Sequence, residues 1–210
     1  MLKRAEPRLH LGLLFFAVLF SDFLLGVFYW TGQEQAYIPA DFARLHYISF
    51  SFPYSHGLLA SLLWSVLAFL LARYYWRNRD GAKIGIILGL AVFSHFILDF
   101  IVHVPELPVL GRESVKLGLG LWNHMAVALT VEMVLVVVGL VLYLPVAKQY
   151  GASGRIGVLI LMVAFSVLTV AGMTSSTPPD VTTVAMSWIA APLALSGIAF
   201  WLDQPARQSK

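Results

Sequence analysis

The stretch IGIILGLAVFSHFILDFIVHV, residues 84 to 104, decides the fold class. At a rise of 1.5 Å per residue it is long enough to cross about 30 Å of hydrocarbon as a helix, and it lacks the period-two alternation of a barrel strand. Five more runs of this kind fall at about 11–30, 56–75, 125–147, 156–174 and 182–202. An open sheet cannot sit in lipid, so strands are not expected. The six runs predict an all-α, polytopic membrane helix bundle, with residues 1–210 forming a single integral membrane domain. Composition agrees. The chain is 59% hydrophobic and 12% charged, with a mean hydropathy of +0.80, whereas a soluble domain carries about 25% charged residues.

The few charges carry a topology signal. Lys3, Arg4, Arg8, Arg73, Arg77, Arg79, Lys83, Lys148, Arg155, Arg207 and Lys210 fall on one side of the six runs, and only Arg44, Arg112 and Lys116 on the other. The positive-inside rule therefore predicts cytoplasmic N and C termini, with loops 31–55, 105–124 and 175–181 outward. The first run follows basic residues as a signal peptide would. It is long for such a segment, carries Asp22 and has no clear small-x-small cleavage site, so it reads as an uncleaved first span. A net charge of +3 and a pI near 9.3 are accounted for by this asymmetry, and no nucleic-acid partner is expected. The absence of cysteine excludes disulfides, thiolate metal sites and a cysteine nucleophile.

Ionisable side chains inside a span are costly, about 2.5–3.5 kcal/mol each, and mark functional candidates. Asp22, His56, His95, Asp99, His103, His124 and Glu132 all fall between the midplane and the outer boundary of their runs. Measured from the cytoplasmic boundary, Asp22 and His95 lie at about 16 Å, Glu132 at about 18 Å, Asp99 at about 22 Å and His103 at about 28 Å. One outward-opening polar pocket explains this one-sidedness. His95, Asp99 and His103 are spaced i, i+4, i+8 and share a helix face. His95 and Asp99 suit a divalent metal, whereas His103, about 12 Å further along the axis, is better placed as a second-metal ligand or a general acid or base. His56 after Ser55 also reads as a plain boundary residue at a helix start, and His46 and His124 as ordinary interfacial histidines. With no Lys or Arg at that depth, the carboxylates and imidazoles have only each other or a cation as partners. Two further features read as packing. Gly81, Gly85 and Gly89 form a small-xxx-small row, and the aromatic-rich stretch from Thr31 to Ser55 reads as interfacial padding or as a substrate platform.

Tyr54-Ser55-His56-Gly57-Leu58-Leu59, Ser94-His95-Phe96-Ile97-Leu98-Asp99 and the earlier Asp22 resemble the YdjM-type family of membrane-bound metal-dependent hydrolases over the first half of the chain. The resemblance implies Asp22, His56, His95 and Asp99 as metal-binding residues and a prokaryotic plasma-membrane location. The early acidic position is Ser21-Asp22 here, where the family often has Pro-Asp-x-Asp. Pro53-Tyr54-Ser55-His56 with His95-x3-Asp99 is also similar to lipid-phosphate phosphatases. Gly89 stands where those enzymes need an arginine to stabilise the transferred phosphoryl group, so a phosphohistidine route is not expected.

The expected function is a membrane-embedded hydrolase with a divalent metal, zinc for preference. Glu132 or His103 would handle the proton, and Arg112 or Lys116 would contact an anionic headgroup of a lipid or other amphipathic ester or phosphoester. The alternatives are a proton- or ion-coupled transporter, and a structural membrane protein whose polar cluster fixes helix register. Residues 156–174 and 182–202 carry no ionisable group and read as scaffold or as a partner-facing surface.

Overall fold

The computed structural model describes residues 2–147 and 151–204, with the side chains of 151–153 left aside. Lys148, Arg207 and Lys210, three of the basic residues behind the expected topology, lie outside the described residues. Five helices are long and apolar enough to cross a membrane: α5 (Leu58–Tyr75), α6 (Gly81–Val102), α7 (Met125–Tyr143, led by a 3-10 turn at Leu121–His124), α8 (Gly151–Met173) and α9 (Val181–Leu202). The sixth expected span is broken. α2 (Leu11–Val18) and α3 (Phe20–Trp30) meet at Leu19 with a bend of 52°, and together they have the length and composition of one bent span. A short α1 (Leu2–Ala5) precedes them.

The architecture is the expected multi-pass helical bundle. Small antiparallel pairs do form, but only in the loops: β1 (Gln35–Tyr37) with β2 (Ser49–Ser51), and β3 (Leu107–Pro108) with β4 (Lys116–Leu117). Loop segments lie beyond the spans, where an unpaired strand edge is tolerable, so the rule that excludes open sheets from lipid is not broken.

The glycine row acts as the sequence implies. A Cβ on Gly85 would lie 2.7 Å from the Phe69 carbonyl, and one on Gly89 3.0 Å from the Ser65 carbonyl, so α6 packs with its backbone against α5. The Ser65 hydroxyl donates to the Gly89 carbonyl at 2.6 Å across this contact. Next to it lies an apolar layer that includes Leu14, Ala17, Ile84, Ile87, Leu88, Ala91 and Val92. α9 lies along α2 and α3, where Gly12 backs onto Ser196 and Phe200 and Gly26 onto Ile189. This makes α9 scaffold for the first span.

The two ends of the bundle differ. At the end that holds α1, Lys3 Nζ donates to the Leu9 carbonyl and, at 2.6 Å, to Asp203 Oδ2, which also accepts from the Leu11 N–H at 2.7 Å. Both members of this ion pair are buried. Glu6, also buried, accepts from Arg8 at 2.7 Å and from Lys83 at 2.9 Å, and these cations hold its carboxyl down at about 2. At the other end, three loops fold over one another. The Phe50 N–H donates to Glu106 at 2.8 Å, Arg112 donates to the Gln33 carbonyl at 2.7 Å, and His46 Nδ1 lies 2.9 Å from the Ser175 carbonyl. Gly118, at φ 148°, passes so close to the carbonyls of His103 and Val104 that no side chain fits.

The buried pair yields a sharp test. Asp203→Asn keeps an acceptor for Leu11 but removes the buried negative charge that faces Lys3, and should destabilise the protein by about 3–5 kcal/mol. The double variant Lys3→Met/Asp203→Asn should recover much of that loss in thermal unfolding in detergent. Because the folded pKa of Glu6 is depressed, its contribution is complete above the ordinary carboxylate range and fades as pH falls toward 2. Glu6→Gln should therefore be less stable than wild type at neutral pH, with the gap between their unfolding midpoints narrowing below about pH 4.

Candidate metal centre

Three segments meet beneath the loop end of the bundle. α3 contributes Asp22, the residues leading into α5 contribute His56, and one face of α6 contributes His95 and Asp99. The bend at Leu19 shapes this meeting, since the backbone of Val18 there approaches the His95 ring and Asp22 follows in the next turn. A buried apolar cluster of Leu25, Phe52, Phe96 and Leu107 lies alongside and fixes the segments relative to one another.

The geometry is that of ligands facing a common point. His56 Nε2 lies 3.2 Å from His95 Nε2, 3.5 Å from Asp99 Oδ2 and 3.7 Å from Asp22 Oδ1. His95 Nε2 lies 3.2 Å from Asp99 Oδ2 and 3.7 Å from Asp22 Oδ1. A tetrahedron with ligand bonds of about 2.0–2.2 Å has edges of about 3.3–3.6 Å, so these separations suit a first-row divalent ion. Asp99 Oδ2 is buried and has no hydrogen bond of acceptable geometry, an arrangement that is costly unless a cation supplies the missing interaction. One ligand atom from each of Asp22, His56 and His95 lies within 4.8 Å of the other two. The Asp22 side chain is 31% exposed and the other three are at most 13%, so the cluster opens on the Asp22 side.

Each end of the cluster is tied to a carboxylate from a loop. Glu34 is fully buried. Its Oε1 accepts from the N–H groups of Tyr54 at 2.7 Å and Ser55 at 2.9 Å, and its Oε2 from the Ser55 hydroxyl at 2.6 Å. Burial pushes the Glu34 carboxyl above its ordinary range, against the lowering effect of these hydrogen bonds. The same hydroxyl lies 2.7 Å from His56 Nδ1. On the other side, His103 Nδ1 lies 2.6 Å from Glu106 Oε1, while its Nε2 is 4.0 Å from Asp99 Oδ1. A neutral His103 therefore donates from Nδ1 to Glu106 and turns an unprotonated Nε2 toward the cluster. The Trp122 ring covers it, with centroids 4.0 Å apart.

Other expected site residues are not drawn in. Glu132 is half-buried on α7, and among the described residues no hydrogen bond or ion pair joins it to the cluster. His124 is exposed. Arg112 and Lys116 sit on the β3–β4 loop, where Lys116 donates to the Arg112 carbonyl, and no polar contact of either with the cluster is found among the described residues. Depth along a helix is readable from sequence, but which way α7 turns its polar residue is not. Glu34 and Glu106 escaped sequence reasoning because a carboxylate in a loop is unremarkable. The one signal was Glu34's place four residues beyond the end of the bent span, in an aromatic-rich stretch.

No family model, curated protein or solved structure matches this chain. Its chemistry is therefore read from the site.

Glu106 joins the loops to His103, so Glu106→Ala strips an acceptor from the Phe50 N–H and from His103 together. It should lower stability by about 1–3 kcal/mol in thermal unfolding, and Glu106→Gln, which can still accept from Phe50, should lose less.

Proposed function

We propose that the protein is a membrane-embedded, metal-dependent hydrolase whose site is formed by Asp22, His56, His95 and Asp99. The observation that carries this reading is the buried, unsatisfied Asp99 Oδ2 facing two imidazole Nε2 atoms at 3.2 and 3.5 Å. The YdjM-type resemblance implies the same four side chains, and mixed imidazole and carboxylate donors favour zinc. A divalent metal bound there supplies Lewis acidity, which activates water and polarises an ester or phosphoester. His103 accepts the proton at Nε2 and returns it to the leaving group, held in the productive tautomer by Glu106. It suits this role better than Glu132, which has no polar link to the cluster. Exposed Arg112 has guanidinium donors beyond the one used on Gln33, and with Lys116 it is available to an anionic headgroup.

The distribution of basic residues favours the loop end facing outward, with both chain termini cytoplasmic, and the YdjM-type resemblance implies a prokaryotic plasma membrane. Exposed Trp30, Tyr37, Tyr54, Leu110 and Leu119 around that end suit the headgroup region, and they favour a lipid or other amphipathic substrate. A transport role is less favoured because the apolar layer of Ile84, Ile87, Leu88, Ala91 and Val92 separates the cluster from the polar groups at the opposite end.

Elemental analysis of purified protein after zinc exposure and desalting should find stoichiometric metal in wild type and little in His95→Ala or Asp99→Ala. A wild type without bound divalent metal would sink the proposal. His103→Gln should retain metal while turnover of acyl-chain carboxylic or phosphoric esters falls by about 10²–10⁴-fold.

A further inference from the structure

Resting on the metal-site reading above, we infer that Glu34, through the Ser55 hydroxyl, is a positioning residue that sets the His56 tautomer and thereby prepares Nε2 as a metal ligand. The argument is one of proton counting. Glu34 receives two backbone N–H groups on Oε1, both of them fixed donors, and the Ser55 hydroxyl on Oε2. Ionised Glu34 has only acceptors, so in that form the single Ser55 proton points to it. The Ser55 oxygen is then left with lone pairs facing His56 Nδ1 at 2.7 Å, and the contact is a hydrogen bond only if Nδ1 carries the proton. Neutral imidazole has one N–H, so His56 Nε2 must be the bare nitrogen. That is the atom aimed at His95, Asp99 and Asp22.

Burial makes this chain decisive. Ser55 and Glu34 are at most 1% exposed and the His56 side chain 4%, so water cannot readily substitute for any member. Glu34 lies outside the metal cluster, and its hydrogen-bonded link to His56 runs through one hydroxyl.

The tautomer can be read without metal. In ¹⁵N-histidine-labelled, metal-free protein in detergent, assigned by His56→Asn, His56 should show the Nδ1–H form. Glu34→Gln is the discriminating variant. Its amide oxygen can still accept from Tyr54 and Ser55, but its NH₂ faces the Ser55 oxygen, which turns the hydroxyl proton onto His56 Nδ1 and leaves the ring proton on Nε2. The hydrogen bonds are conserved and their direction is reversed. Thermal stability should therefore stay near that of wild type while His56 switches tautomer and zinc affinity, measured by competition with a chelator dye, falls about 10- to 100-fold. Ser55→Ala should weaken zinc to a similar degree, and Ser55→Thr, which keeps the hydroxyl, should restore it.

A wild-type His56 in the Nε2–H form, or Glu34→Gln with unchanged tautomer and affinity, overturns the inference while leaving the metal site standing. Wild type that binds no zinc overturns the metal site and with it the role given to Glu34. In that case the ¹⁵N spectra still report whether the Glu34–Ser55–His56 chain runs as described.

Discussion

Polar side chains carried into hydrocarbon must find partners inside the protein, and this requirement governs how the helices meet. Asp22, His56, His95 and Asp99 come from three separate segments, and among the described residues no Lys or Arg pairs with any of them. They are drawn to one another by the cost of being elsewhere. Within the cluster the buried Asp99 Oδ2 lies 3.2 Å from His95 Nε2 and 3.5 Å from His56 Nε2, without a hydrogen bond of good geometry to either. The fold holds this shortfall in place with apolar packing, chiefly Phe52, Phe96, Leu25 and Leu107 beside the cluster and α6 pressed against α5 through its glycines.

Around the cluster lies a shell that handles direction rather than charge. Glu34 and Glu106 reach in from different loops, and each is linked to a histidine Nδ1, one through a hydroxyl and one directly. In both cases Nε2 is left facing the centre. The loops that bring these carboxylates are stitched together by Arg112 on Gln33, Phe50 on Glu106 and His46 on Ser175. The aromatic-rich stretch from Thr31 to Ser55 is thus neither simple padding nor free surface. Phe42 and Phe52 are buried within the cap, while Tyr37 and Tyr54 remain exposed at its rim.

Much of the site was legible wherever one helix carried it. His95 and Asp99 are related by a fixed helical rotation, so their convergence follows from spacing alone. Asp22 and His56 were legible by depth. The break at Leu19 was not, because no Pro stands there and the residues on both sides are apolar in the ordinary way. Depth alone did not show that Glu132 has no polar link to the cluster among the described residues, since helical azimuth on α7 depends on packing that the sequence does not express. Which of the two readings of α9 applies, scaffold or partner-facing surface, was not legible either. Its contacts with α2 and α3 rest on Gly12 and Gly26, single small residues without a repeating pattern.

The ion pair between Lys3 and Asp203 joins residues 200 positions apart. Lys3 precedes the bent span and Asp203 follows α9, so the pair can close only once α9 lies along α2. Closure of that pair is therefore a chemical record that α9 has docked. A chain without α9 lacks both the Asp203 side chain that Lys3 meets and the helix against which the bent span rests. Asp22 then loses its support, so the polar centre at one end of the molecule depends on an event at the other.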